Sequence, residues 1–317
     1  MHYAPQPLHI PDGFLSVLVS IVFWLLTAAA VGYALRRVGK DLGDRQVPMM
    51  GVLAAAIFAG QMLNFSVAGG TSGHLMGAAI ATILLGPWAA ILVMTCVMSV
   101  QALIFQDGGL LVLGANIFNM GVVGVAVSYM AYQTLHRLAR GAHWGPFAGG
   151  FIAAWLSIEA SALFVALQLA VSRVSPANIA IPAMGGVHAL IGIGEGLITL
   201  GALAFLYRAR PDLVHAGDER PVKGRLIWAF GLLVALGLAV ASPLASSNPD
   251  GLEWVAQQAG FLDAGRASPF RLIPDYLLPG VSNHALATIL AGLLGTLIVF
   301  GVTLLVAYNR RARQAPD

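Results

Sequence analysis

Apolar residues fall into nine runs along the chain, broken by short polar segments: roughly 14–35, 48–66, 75–86, 88–105, 111–135, 146–172, 184–207, 226–244 and 285–307. A helix needs about 20 mostly apolar residues to cross a bilayer, and most of these runs supply them. The third is short, so it is expected to be tilted or to start deeper in the membrane. The pattern predicts an all-α membrane helix bundle of about nine spans, seven and then two. A charged linker over 208–225 separates a first domain, 1–210, from a second, 211–317. The two spans of the second domain flank a loop of about 40 residues, a length that is usually functional or flexible. There is no tandem repeat and no low-complexity tract.

The basic residues orient the bundle. With the N-terminus outside, fourteen of the seventeen Lys and Arg lie in cytoplasmic segments, and only Arg173, Arg266 and Arg271 lie outside. Such an excess is the positive-inside signal. The expectation is a multi-pass protein of the plasma (inner) membrane with its C-terminus in the cytoplasm.

Composition agrees. The chain is 58% hydrophobic and 10% charged, with a mean hydropathy of +0.81, whereas soluble domains carry roughly 25% charged residues. The net charge of +3 sits in short loops, which reads as topology and not as a nucleic-acid surface. A single cysteine, Cys96, excludes an internal disulfide framework and a thiolate metal cluster within the chain. Residues 1–13 hold no Lys or Arg and no apolar core, so the first run is read as a span and not as a cleaved signal. Glycines are abundant within the spans, as at Gly73 with Gly77 and Gly192 with Gly196. The plain reading is close helix packing; the sharper one is a smooth face that slides on a partner.

The chemistry is sparse. There is no phosphate loop for ATP and no His-Glu-x-x-His zinc signature. On the predicted topology His2, His9, His74, His188 and His284 lie toward the outside, and His136, His143 and His215 lie in cytoplasmic loops as solvated side chains. His9 stands just before the first span in His9-Ile-Pro-Asp-Gly-Phe-Leu-Ser16, and His74 follows Gly70-Thr-Ser-Gly73 at the start of the third. An ionisable residue at a span's edge is a candidate site. Capping or packing explains either histidine alone; two on one side of the membrane weaken that explanation. Glu159 and Glu195 lie inside spans six and seven, where a carboxylate is costly. Each is either a supporting partner or latch, or a carboxyl hydrogen-bonded within the bundle. Asn64, Asn116 and Asn119 are candidates to support the histidines, since a metal-bound His donates its other N–H to an oxygen. His188 and His284 are read as packing residues or as lining an entry path.

His9–Ser16 and Gly69–Gly77 resemble the signature motifs of the metal-capturing M component of energy-coupling-factor transporters for nickel and cobalt. So do Gln101-Ala-Leu-Ile-Phe-Gln-Asp-Gly-Gly109, Ala115-Asn-Ile-Phe-Asn-Met-Gly121 and His188-Ala-Leu-Ile-Gly-Ile-Gly-Glu-Gly196. The remainder is similar to the small N component of those systems, through Asn248-Pro-Asp-Gly-Leu-Glu253 and Pro279-Gly-Val-Ser-Asn-His284. The resemblance implies a transporter subunit, not an enzyme. It has no cofactor, carries nickel or cobalt as its cargo, and works with a transmembrane coupling subunit and cytoplasmic ATPases. It also implies the ligands. Family chains begin Met-His, and that histidine matches His9. A terminal amine, the following amide nitrogen and the imidazole Nδ1 chelate the metal in one plane, and the histidine matching His74 completes the set. Four nitrogens in a plane suit nickel(II) and copper(II) better than zinc.

The chain departs from that pattern where it matters, because seven residues and Leu8 precede His9. With them attached, no amine stands beside His9. Three readings stay open: Leu8 is the true start, residues 1–7 are trimmed, or Met1 and His2 chelate instead. Nickel is favoured over cobalt, since Ile-Pro-Asp-Gly after the histidine resembles the nickel branch. Two other classes are weighed against the transporter subunit. An intramembrane hydrolase using His74 with Glu159 or Glu195 lacks a nucleophile motif. A stand-alone ion-gradient transporter would need mid-membrane acidic pairs in repeated halves.

Overall fold

The computed structural model describes residues 9–38, 46–209 and 224–312. Met1, His2, Leu8, His215 and the expected domain boundary at 210–211 lie outside the described residues. The elements run α1 (Val17–Val38), α2 (Gln46–Gln61), β1 (Phe65–Val67), β2 (Thr71–Gly73), α3 (Ala78–Leu85), α4 (Pro87–Val100), α5 (Leu113–Ala139), α6 (Gly145–Val171), α7 (Ala177–Ala209), α8 (Gly224–Ala241), α9 (Gly251–Ala259) and α10 (His284–Ala312). α4 continues as a π-turn over Gln101–Phe105, and α5 contains another over Ile117–Val123. π-turns widen a helix locally and recur at functional sites; here one runs into the loop holding Asp107 and the other carries Asn119.

Six helices among the described residues are long and apolar enough to cross a membrane: α1, α4 with its π-turn, α5, α6, α7 and α10. Two more apolar helices, Gln46–Gln61 and Trp228–Leu244, are shorter. The expected third span differs most. The strand Thr71–Gly73 lies just ahead of it, its first residues up to Gly77 are non-helical, and its helix has only eight residues. At 1.5 Å per residue it covers roughly 12 Å, far less than the roughly 30 Å of hydrocarbon. Gly86, with φ 79°, and Pro87 at the first position of α4 then break it from the next helix. α1 is lined with exposed aliphatic residues, Leu18 at 72% and Leu25 at 67%, as suits a lipid-facing helix.

α8 and α10 pack on α2, and glycine makes the approach possible. A Cβ at Gly231 would lie 2.5 Å from Val52, and one at Gly51 would lie 2.9 Å from Leu304; Gly295 meets the Phe58 ring in the same way. Apolar burial gives little drive between helices in lipid, so close van der Waals approach decides. The glycine pairs noted in the sequence pack internally. Gly192 and Gly196 of α7 face Trp155 and Phe151 of α6, and Gly73 and Gly77 face Ile191 and Ile57.

Candidate metal site

His9 is placed by the residues that follow it. The Ile10 amide donates to Asn116 Oδ1 at 3.1 Å, and Asn116 Nδ2 donates back to the Ile10 carbonyl at 3.1 Å. Two residues on, the Asp12 carboxylate accepts the amides of Leu110, Leu111 and Val112 at 3.1, 2.9 and 3.2 Å. This turn, just before α5, has amides with no helical partner, and a carboxylate is a strong acceptor for them. Gly108 and Gly109 let the segment lie close, since a Cβ at Gly108 would fall 2.9 Å from His9 Cβ and one at Gly109 would overlap Asp12. The spacing His-Ile-Pro-Asp thus anchors His9 against the loop before α5.

His9 is buried, 4% exposed. Its Nδ1 lies 2.9 Å from Asp107 Oδ1, while Nε2 is buried without a hydrogen-bond partner. Tyr276 donates its hydroxyl to Asp107 Oδ2 at 2.6 Å. Burial works against the His9 imidazolium, but the charge and hydrogen bond of Asp107, with Asp250 further off, hold its pKa above the ordinary value.

His74 comes from the other side. β2 pairs with β1 in antiparallel register, Phe65 opposite Gly73. Beyond His74, the amides of Met76 and Gly77 donate to Glu195 Oε2 and Oε1 at 2.8 and 2.9 Å. His74 Nδ1 donates to the Leu75 carbonyl at 3.0 Å. The two histidine rings stand 5.9 Å apart between centroids, inclined at 56°. Two imidazoles bound to one ion by bonds of roughly 2 Å would hold their centroids roughly 4.5–6 Å apart, so both rings are within reach of a common metal.

They share a cavity of about 80 Å³. Its wall also holds His188, Asn116, Asn119 and Asp250. His188 Nδ1 donates to the Met184 carbonyl at 2.8 Å, which fixes the tautomer and leaves Nε2 as the unprotonated nitrogen. The chain after 244 closes over this cavity. Ser72 donates its amide to the Pro249 carbonyl and its hydroxyl to the Asn248 carbonyl, each at 2.8 Å. Asp250 caps α9 by accepting the Glu253 amide at 2.7 Å, and burial pushes its pKa up to about 7.

The structure therefore brings His9, His74, His188, Asn116 and Asn119 to one cavity, with Glu195 behind the His74 loop. Asn116 holds the Ile10 backbone and not an imidazole, and Asn119 exchanges hydrogen bonds with Gln168 at 2.7 and 2.8 Å. Asn64 and Glu159 do not line the cavity, and His284 is exposed at the start of α10. His136 and His143 are exposed, but His136 lies in the last turn of α5, stacked on Tyr132, and not in a loop. Asp107, Asp250 and Tyr276 were not singled out from sequence. The two aspartates lie inside quoted motifs, whereas nothing in the sequence marks Tyr276. Among the described residues no group of three His, Cys, Asp or Glu side chains could hold an ion. A site on His9 and His74 must draw its other donors from elsewhere.

Residues 9–213 match the model of the cobalt uptake substrate-specific transmembrane region, and residues 225–311 match the PDGLE domain. A fused NikMN chain from Archaeoglobus fulgidus is 37% identical over 314 residues, covering 97% of this chain and all of the relative. The fused nickel transport protein NikMN of Rhodobacter capsulatus is 31% identical, with 97% and 100% covered. The cobalt transport protein CbiM of Sorangium cellulosum is 32% identical, covering 65% of this chain and 94% of its own. A crystal structure of a truncated transition metal transporter superposes with a TM-score of 0.57 at 32% identity, covering 63% of this chain and 99% of that one.

Proposed function

The chain belongs to the cobalt uptake substrate-specific transmembrane family, with a PDGLE domain fused behind it, and from this we propose that it captures nickel(II), or secondarily cobalt(II), for an ATP-driven energy-coupling-factor importer. It is a multi-pass membrane protein. In this reading its N-terminus and metal site face outward, and a transmembrane coupling subunit with cytoplasmic ATPases drives release inward.

One observation carries the reading: His9 and His74 line one cavity, and His9 Nε2 is buried without a partner. A buried polar nitrogen without a partner is costly, and a metal ion answers it. As the ring stands, Asp107 backs Nδ1 and Nε2 is the nitrogen left for an ion, the arrangement that orients histidine ligands in metal sites. A chelate ring through Nδ1 would require that nitrogen to leave Asp107. The remaining nitrogen donors would come from the chain ahead of His9, either the amine at Leu8 or Met1 with His2. A mostly nitrogen donor set in one plane favours nickel(II).

The test is equilibrium binding of nickel(II) and cobalt(II) to the purified full chain. His9→Ala and His74→Ala should each abolish tight binding. Either variant binding as tightly as wild type sinks the site. Uptake in vesicles should also require ATP and the partner subunits.

A further inference from the structure

We propose that a polar pocket between the His9 segment and the PDGLE loop binds a small polycarboxylate, and that it seats the chelator when metal arrives as a carboxylate complex. The delivery half rests on the metal-capture reading; the binding half does not. The pocket holds about 270 Å³, close to the lower end of ligand sites at roughly 300 Å³. Three segments wall it: Pro11 and Asp12 after His9, Gln106 to Gly109 before α5, and Arg266 to Asp275 of the PDGLE loop. No residue lines both this pocket and the histidine cavity. The two adjoin at Gly108, which lines the pocket and lies against His9 Cβ.

The wall's charges name the ligand. On the proposed topology only three of the seventeen Lys and Arg lie outside, and two of them, Arg266 and Arg271, line this one pocket. Among the described residues neither guanidinium has a hydrogen bond or an ion pair. Ser268 adds a hydroxyl that is buried without a hydrogen-bond partner, a costly state unless a ligand answers it. Two carboxylates share the wall. Asp12 is already spent on the amides of Leu110, Leu111 and Val112. Asp275 feels the charge of Arg271 without pairing with it. The positive charge is therefore in excess. Two separate guanidiniums, each shaped to take a carboxylate through paired N–H groups, fit an anion with more than one carboxylate.

The pocket is also held in shape. The Arg266 amide donates to the Asp12 carbonyl at 2.6 Å, the Ile273 amide to the Ile104 carbonyl at 3.0 Å, and the Leu272 amide to Gln106 Oε1 at 3.3 Å. These bonds tie the PDGLE loop to both other segments. Asp275 and Tyr276 both have φ 55°. A bulky residue there is strained, and such strain persists only where the surroundings impose it. The Tyr276 ring stacks on Phe105 with centroids 4.8 Å apart, which fixes the turn that sets Asp275 in the wall. A site fixed in advance loses less freedom when its ligand binds.

The experiment is calorimetric titration of citrate into the metal-free full chain at low salt, where charge is least screened. Wild type should bind citrate, and inorganic phosphate, too small to reach both guanidiniums, should bind about tenfold more weakly. Arg266→Gln and Arg271→Gln should each weaken citrate binding by about tenfold. Asp275→Asn should tighten it by about threefold, because a like charge leaves the wall, and a gain of this kind cannot come from a misfolded variant. The proposal is overturned by a wild type that does not bind citrate, by phosphate binding as tight as citrate, by Arg variants that bind like wild type, or by weaker binding in Asp275→Asn. For delivery, nickel(II) supplied as its citrate complex should load wild type about tenfold faster than either Arg variant, while uncomplexed nickel(II) loads all three alike. Equal loading from the complex overturns that half. His9→Ala is run in parallel and should keep wild-type citrate binding. If it also binds nickel tightly, the metal-capture reading fails and the pocket stands; if it loses citrate, the anion sits in the histidine cavity and the pocket falls.

Discussion

Glu195 Oε1, fully buried on α7, accepts the Gly77 amide at 2.9 Å. Oε2 takes the Met76 amide. One carboxylate therefore closes the start of α3, whose amides have no helical partner there, and fixes the loop that carries His74. Glu195→Ala should destabilise the protein by about 1–3 kcal/mol for each amide left unpaired. Glu195→Gln offers one acceptor oxygen and should lose about half of that. Both should weaken nickel binding, because His74 is no longer held. Thermal unfolding with and without nickel checks this, and an Ala variant that melts and binds like wild type contradicts it.

Proton and metal act on His9 with opposite sign. Its folded pKa lies above 6.5, so in the metal-free protein its pairing with Asp107 contributes stability that is full below 6.5 and lost as pH rises through the folded value. Asp250, raised from 3.8 to about 7, adds stability that is full below 3.8 and lost by about 7. Nickel needs a neutral His9 imidazole, so apparent affinity should be full above the His9 pKa and fall by about tenfold per pH unit below it. Melting curves from pH 5 to 9 (a range chosen to bracket these values, about one to two units each way) should show the metal-free protein losing stability as the metal's stabilisation grows. Parallel curves for the two forms would contradict this.

Much of this architecture could be read from the chain, for identifiable reasons. Long apolar runs and the placement of Arg and Lys depend only on the solvent, so the helices follow from them. His9 and His74 stood out because a histidine at a span's edge is rare. The short third element was misjudged as a span, because its hydropathy does not show that Glu195 holds Met76 and Gly77 out of helical register. Asn116 was noticed for the wrong partner: it holds the Ile10 backbone, and only the fold brings the two within reach. Tyr276 could not be read at all. Its hydrogen bond to Asp107 joins residues 169 apart in sequence, and a lone tyrosine in a loop carries no pattern.

The proposed orientation can be tested with cysteine labels. Cys96 is the chain's one cysteine and is buried, so background labelling should be low. Ala267, on the PDGLE loop, and His143, between α5 and α6, are both exposed. In a cysteine-free background, Ala267→Cys should react with a membrane-impermeant maleimide in intact cells, and His143→Cys only after permeabilisation. The reverse result inverts the topology and puts the metal site on the wrong face for uptake.

Gly251 shows why the PDGLE turn needs its glycine. A Cβ there would lie 2.7 Å from Ile191 Cδ1, 2.8 Å from His188 Cε1 and 3.0 Å from His188 Nε2. Backbone strain plays no part, since its φ is not among the positive ones; the demand is for space. Ile191 can turn its terminal methyl away, but His188 is tied to the Met184 carbonyl at 2.8 Å and cannot retreat without breaking that bond. Gly251→Ala should therefore lift α9 from α7 and cost about 1–3 kcal/mol, the usual penalty of overpacking. Removing the obstacle should relieve it: with His188→Ala in the background, the added methyl should cost less than it does alone. Thermal unfolding of the two single variants and the double supplies the cycle. Equal costs in both backgrounds would mean that His188 is not what the glycine accommodates. A smaller cost in the His188→Ala background would establish that the PDGLE turn is fitted to an imidazole in the wall of the metal cavity.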